Sequence, residues 1–230
     1  MDEGTLYIVA TPIGNLGDIT YRAVDILKKV NLIAAEDTRH ASILLKRYSI
    51  QTNRISYYEE IEERRSDELL DRLKGGENIA LISDAGTPAV SDPGYRLITK
   101  AIENDITVVP IPGASSALAA LVASGFPTDR FSFEGFLPKK KGRKTRLQEL
   151  QGDSRTLVFF ESPYRVLKTL KDFLELFGDR RCAIGREMTK MHEEFKRGRL
   201  SDLIQYFTEV KPRGEFVLVI EGKRGEKKSH

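Results

Sequence analysis

Short apolar runs alternate with helical patterns through the first half of this chain, and that alternation limits the possible folds more than any other feature. Leu6 to Ala10 reads as a strand and breaks at Thr11-Pro12-Ile13-Gly14. The spacing then predicts a helix from about Tyr21 to Lys29, with Ala23, Ile26, Leu27 and Val30 on one face. Strand-like runs recur at Leu32 to Ala35, Arg54 to Tyr57, Ile79 to Ile82 and Ile106 to Ile111. Helical stretches separate them at Ala41 to Arg47, Glu60 to Lys74 and after Asp92-Pro93, where a capping carboxylate and a proline at the first helical position are expected. Such alternation predicts an α/β fold whose parallel sheet is covered on both faces. Pro112-Gly113 leads into a small-residue helix, Ala114 to Ser124, which closes an expected N-terminal α/β domain at residues 1–124.

After Gly125-Phe126-Pro127 the texture changes. Strands are expected at Phe131 to Leu137, Thr156 to Phe160, near Cys182 to Arg186, near Phe195 to Arg199 and at Phe216 to Glu221. Helices are expected at about Tyr164 to Phe177 and near Asp202 to Phe207. Strands outnumber helices, so residues 125–222 read as a separate α+β domain with a mixed sheet, followed by a basic tail at 223–230.

With 230 residues, 40% of them apolar, the chain has material for a substantial core. No apolar run is long enough to span a bilayer, and the acidic start Met1-Asp2-Glu3 does not read as a signal peptide, so a cytoplasmic protein without a membrane partner is expected. The single cysteine, Cys182, excludes an intrachain disulfide and a cysteine-based metal cluster; it reads as a buried small hydrophobe. The net charge of +3 is small, but it is unevenly spread. Lys139, Lys140, Lys141, Arg143, Lys144 and Arg146 form a basic loop without an acid. Lys223, Arg224, Lys227 and Lys228 follow in the tail. The acids Glu59, Glu60, Glu62, Glu63, Asp67 and Glu68 read as a solvated helix face.

Ligands of an open parallel sheet bind outside the carboxyl ends of its strands. Four such loops carry suitable residues: Thr11 to Asp18, Glu36 to His40, Ser83 to Gly94 and Pro112 to Ser116. In the third, small residues permit close backbone approach, Asp84 offers a partner for an ammonium, and Ser83, Thr87 and Ser91 offer hydroxyls. Asp37 or Thr38 serves as a helix cap, but Glu36, Arg39 and His40 exceed what a cap requires. Several templates fail. No G-x-G-x-x-G follows the first strand, Gly142-Arg143-Lys144-Thr145 is not a Walker loop, and Ala117 spoils a G-x-S-x-G elbow at Ser115. Three histidines supply metal or triad chemistry poorly, and no metal is expected.

Seven segments occur in order: Thr11-Pro12-Ile13-Gly14-Asn15-Leu16-Gly17-Asp18, Glu36-Asp37-Thr38-Arg39, Ser83 to Gly94, Ile111-Pro112-Gly113-Ala114-Ser115, Glu161-Ser162-Pro163, Gly185-Arg186-Glu187-Met188-Thr189-Lys190 and Gly214-Glu215-Phe216. Together they resemble the tetrapyrrole-methylase superfamily, and within it the branch that methylates a cytidine ribose 2′-hydroxyl in small-subunit ribosomal RNA. The resemblance covers roughly residues 4 to 222. It implies two α/β domains with S-adenosylmethionine in the cleft between them, a homodimer, and ribosomal RNA or the small ribosomal subunit as partner. Tetrapyrrole methylases proper have a glycine-richer first loop and a Gly-Asp-Pro turn; Thr11 to Leu16 and Ser83-Asp84-Ala85 stand in their places, which argues against a porphyrinoid substrate.

Carried over by position, the resemblance implies cofactor contacts at Pro12, Ser83, Asp84, Ala85, Ala89, Val90, Ser115, Ser116, Glu161, Ser162 and Gly214. Asp37 and Glu36 are the expected bases, with Lys190 next and Glu187 orienting it. Arg39 is expected to hold a phosphate or the ribose, and the basic loop to grip RNA phosphates. The rival expectations are a small-molecule methylase and a non-catalytic RNA-binding assembly factor.

Overall fold

The computed structural model describes residues 3–223 and divides the chain into two compact units, one ending at Ser115 and the other beginning at Ser116. The basic tail residues Arg224, Lys227 and Lys228 lie outside the described residues.

The first unit is a doubly wound α/β layer. Its strands are β1 (Thr5–Val9), β2 (Leu32–Ala35), β3 (Arg54–Ser56), β4 (Ile79–Ile82) and β5 (Thr107–Ile111); its helices are α1 (Tyr21–Lys29), α2 (Thr38–Arg47), α3 (Glu62–Lys74) and α4 (Tyr95–Glu103). All the strand pairs are parallel, in the order β3-β2-β4-β1-β5. Successive residues of the central strands feed opposite cores, as the period of two requires. Leu32, Ala34, Ile79 and Leu81 pack with Leu69, Leu73 and Leu97 of α3 and α4. Ile33, Ala35, Ala80 and Ile82 pack with Ala23, Leu27, Ala41 and Leu45 of α1 and α2. Both faces are therefore dry, which accounts for the fully buried β2 and β4.

This order creates a switch point. From β2 the chain runs through α2 outward to β3, whereas from β4 it runs through α4 the other way, past β1, to β5. The loops leaving the adjacent strands β2 and β4 therefore diverge to opposite faces and open a crevice between them.

The second unit holds α5 (Ser116–Ser124), β6 (Phe131–Phe136), α6 (Arg143–Leu150), β7 (Thr156–Glu161), α7 (Val166–Phe177), β8 (Arg181–Arg186), β9 (Glu194–Arg199), α8 (Leu200–Glu209) and β10 (Phe216–Ile220). Its sheet is mixed: β6 pairs parallel with β7, and the remaining pairs are antiparallel in the order β6-β7-β10-β8-β9. Phe159, Leu218 and Ile184 face the core that α6, α7 and α8 complete. Cys182 lies in that core, where burial pushes its thiol well above the ordinary range, so it is packing material.

Two expectations change here. The helix expected to close the first domain at residue 124 is grouped with the second unit, because α5 packs on β10, β8 and β7 through the small residues Ala117 and Ala120. The expected basic loop continues as a helix from Arg143, entered through left-handed Gly142 (φ 82°). No helix among the described residues is long and apolar enough to cross a membrane.

Candidate active site

The crevice between β2 and β4 is closed at its floor by reciprocal bonds. The Asp37 amide donates to Asp84 Oδ1 at 3.0 Å, and the Asp84 amide donates to Glu36 Oε2 at 3.4 Å. His40 Nδ1 lies 3.5 Å from Asp84 Oδ2. Residues 47 and 48 positions apart in the chain thus share one site, at the position the strand order marks out.

The neighbouring loops are tied to the same place. Thr11 and Gly86 exchange two backbone hydrogen bonds, of 2.8 and 3.1 Å, and the buried Thr11 hydroxyl donates to Ser83 O at 3.1 Å. Thr87 Oγ1 donates to Ala114 O at 3.4 Å. The loops carrying Pro12, Ser83 to Val90 and Ala114-Ser115 are therefore one linked rim above β1, β4 and β5. Within it Ala89 and Ser91 hold positive φ values of 66° and 67°, a conformation costing about 1–3 kcal/mol for a non-glycine residue.

Asp92 does not cap α4. The helix begins at Tyr95 with Gly94 at its cap, and the Glu62 carboxylate takes the capping role by accepting from Gly94 N at 2.9 Å and Arg96 N at 3.4 Å. Glu62 is buried and also accepts the Tyr57 hydroxyl at 3.0 Å, so it is not part of the expected solvated face; Glu63 and Asp67 are, paired with Arg96 and Lys100. Released from capping, Asp92 turns toward the crevice. Burial first, then the charge of Glu36, raises its carboxyl to about 6; a Ser83 hydrogen bond pulls the other way and the Asp84 charge adds to the rise. Sequence reasoning missed this residue because Asp-Pro at a helix start satisfies the capping pattern; the available signal was a fourth acid in the strand-end loops that carry Glu36, Asp37 and Asp84.

The expected bases separate on the same grounds. Asp37 caps α2 and grips Arg39 through both oxygens, at 2.8 and 3.1 Å on Oδ1 and 2.8 Å on Oδ2. The Arg39 side chain and amide hold its carboxyl down at about 2, which makes it a feeble proton acceptor. Glu36 is half-buried and raised, chiefly by burial, against the opposing Asp84 amide. Arg39 itself projects into solvent with its side chain 90% exposed.

In the second unit, Lys190 lies 3.1 Å from Glu187 Oε1 and 2.9 Å from Glu215 Oε2. Burial alone would lower its ammonium, but those hydrogen bonds outweigh it and leave it raised, so Lys190 stays protonated. Glu187 and Glu215 together hold the Lys190 ammonium. Gly214 has φ 86°, and a Cβ there would fall 2.4 Å from Glu187 Cγ, so a local contact already requires glycine. Glu161 is buried with both oxygens occupied: Arg165 and the Ser162 amide reach Oε1 at 2.8 Å, and the Thr169 hydroxyl reaches Oε2 at 2.6 Å. Ser162 and Ser116 are half-buried at the starts of their loop and helix.

The basic segment splits. Arg143 is buried and donates to Asp172 Oδ2 at 2.8 Å, Thr169 Oγ1 at 2.8 Å and Pro138 O at 3.4 Å. Arg146 pairs with Glu134 and Glu149. Lys139, Lys140, Lys141 and Lys144 are exposed. Among the described residues no group of His, Cys, Asp and Glu is placed to hold a metal.

The model of the tetrapyrrole (corrin/porphyrin) methylases matches residues 5–204. A Synechocystis sp. protein named ribosomal RNA small subunit methyltransferase I is 52% identical over 225 residues, 97% of this chain and 81% of the relative. A Thermotoga maritima protein of the same name is 49% identical, covering 96% of this chain and 99% of the relative. The crystal structure of uroporphyrin-III C-methyltransferase from Thermus thermophilus complexed with S-adenosyl homocysteine has the same fold, with a TM-score of 0.66 at 20% identity over 95% of this chain and 97% of that one.

Proposed function

This chain belongs to the tetrapyrrole methylases and, within them, to the ribosomal RNA small-subunit methyltransferase I family, and we propose that it transfers a methyl group from S-adenosylmethionine to the 2′-hydroxyl of a cytidine in small-subunit ribosomal RNA. The observation that supports this most is the crevice where the Asp37 amide donates to the Asp84 carboxylate and the Asp84 amide donates to the Glu36 carboxylate.

The residues there fit the cofactor. Glu36, Asp84 and Asp92 gather negative charge suited to a molecule bearing a sulfonium and an ammonium, and Ala85, Ala89 and Val90 keep the rim short of bulk. When bound, S-adenosylmethionine supplies the electrophilic methyl group. Asp84 pairs with the ammonium, while Pro12, Ser83, Ala85, Ala89, Val90 and Ser115 border it through backbone and hydroxyl groups. Ser116, Ser162 and Gly214 are carried over from the family resemblance, and Glu161 acts by holding the Ser162 amide.

Of the expected bases, Glu36 suits the ribose proton best, since a raised carboxyl is the stronger acceptor. Such help is worth about 10²–10⁴-fold, and holding the hydroxyl in line supplies more. Asp37 positions Arg39, whose outward guanidinium meets a phosphate, and Lys190 orients the RNA as an ammonium. The protein works in the cytoplasm as a homodimer.

The test is methyl transfer from tritiated cofactor to small subunits from cells lacking this protein, to naked ribosomal RNA and to a porphyrinoid. Label on a cytidine ribose is expected; label on a base, or in the porphyrinoid alone, overturns the reading.

A further inference from the structure

Between α6 and α7 of the second unit lies a groove of about 400 Å³, with Lys139, Lys140 and Lys144 on one wall and Lys168 on the other. Leu147 and Leu176 supply the apolar part of its lining. The Lys168 side chain is 66% exposed.

The groove is held open from beneath. Arg143 is buried between the two helices, bonded to Asp172 and Thr169 of α7 and to the Pro138 carbonyl ahead of α6. Thr169 in turn donates to Glu161 at the end of β7. Arg143 and Lys168 share the Asp172 carboxylate, at 2.8 and 3.3 Å, and Glu175 is the other acid of the lining, so its cations, Lys139, Lys140, Arg143, Lys144 and Lys168, outnumber its acids. A concavity of about 400 Å³ whose lining holds more cations than acids matches a phosphate backbone.

We propose that this groove is the track for the backbone of a single-stranded RNA segment, gripped by Lys139, Lys140, Lys144 and Lys168, with Arg143 as the buried strut that positions both walls. The proposal rests on the ribosomal RNA reading and adds Lys168, which lies outside the basic segment.

The experiment measures binding of the full chain to unmethylated small-subunit ribosomal RNA as a function of salt, alongside methyl transfer and calorimetric cofactor binding. Lys168→Ala and Lys144→Ala should each reduce the slope of log affinity against log salt by about 0.7, the share of one single-strand phosphate. Cofactor affinity should stay unchanged, and Lys28→Ala on α1 should leave the slope unchanged. A wild-type protein that transfers methyl and binds with a steep slope, matched by both groove variants, overturns the groove and leaves the enzyme reading intact. A wild type that neither binds the RNA nor methylates it overturns both.

Discussion

The Asp37 amide donates to Asp84 Oδ1 across 3.0 Å, and this bond ties the end of β2 to the end of β4. Both loops leave the sheet there in opposite directions, so the bond sets the width of the crevice and the direction in which Glu36 and Asp84 point. The charge of Asp84 and its role as acceptor are separable, because Asn keeps the carbonyl oxygen and loses the charge.

Asp84→Asn is expected to melt within a degree or two of wild type while binding S-adenosylmethionine about tenfold more weakly, a loss of about 1.4 kcal/mol. Calorimetric titration with parallel thermal melts checks this. Unchanged affinity would mean that the carboxylate does not meet the cofactor.

Asp37→Asn should retain turnover within a few-fold, since Asn caps α2 as well as Asp does and the native carboxyl is held at about 2 by Arg39. Glu36→Gln should lose about 10²–10⁴-fold in kcat. Methyl transfer at saturating cofactor distinguishes them, and the reverse ranking would restore Asp37 as the base.

Asp92 carries a pH signature. Its carboxyl rises from the ordinary 3.8 to about 6, so the folded state holds the proton more tightly than the unfolded state. The resulting stability is fully present below the unfolded value and is lost as pH rises through the folded one. Asp92→Asn should therefore be more stable than wild type at pH 8, by about 1–2 kcal/mol once solvent screening of this half-exposed group is allowed for, and no more stable at pH 4. Urea unfolding at the two pH values measures it; equal stability at pH 8 counts against the buried charge.

Glu62→Ala removes the acceptor for Gly94 N and the Tyr57 hydroxyl together. Leaving the Gly94 amide inside the fold without that partner, with the Tyr57 hydroxyl kept by Ser66 at 3.0 Å, should cost about 1–3 kcal/mol by urea unfolding. Glu62→Gln keeps one acceptor oxygen and should lose less than half of that. Because Gly94 anchors the loop that starts at Ser83, the Ala variant should also bind cofactor more weakly; a small stability loss would show that water replaces the carboxylate.

Periodicity alone determined most of this architecture. Alternating runs such as Ile79 to Ile82 declare a strand buried on both faces, and the loops at the strand ends mark out the candidate site, because both signals are local and burial enforces them. Tertiary structure decided the rest. Glu62 meets Gly94 32 residues away, Arg143 meets Asp172 29 residues away, and Asp84 meets Asp37 47 residues away. Whether a charged side chain is a solvated ornament, a buried strut or a raised acid depends on which partner the fold brings within hydrogen-bond distance. The same holds for α5, whose small residues suit either sheet and whose place was set by the surface of β10, β8 and β7 available to cover. Local sequence encodes the face a residue turns inward; only the folded chain supplies the dielectric and the neighbours that set its charge.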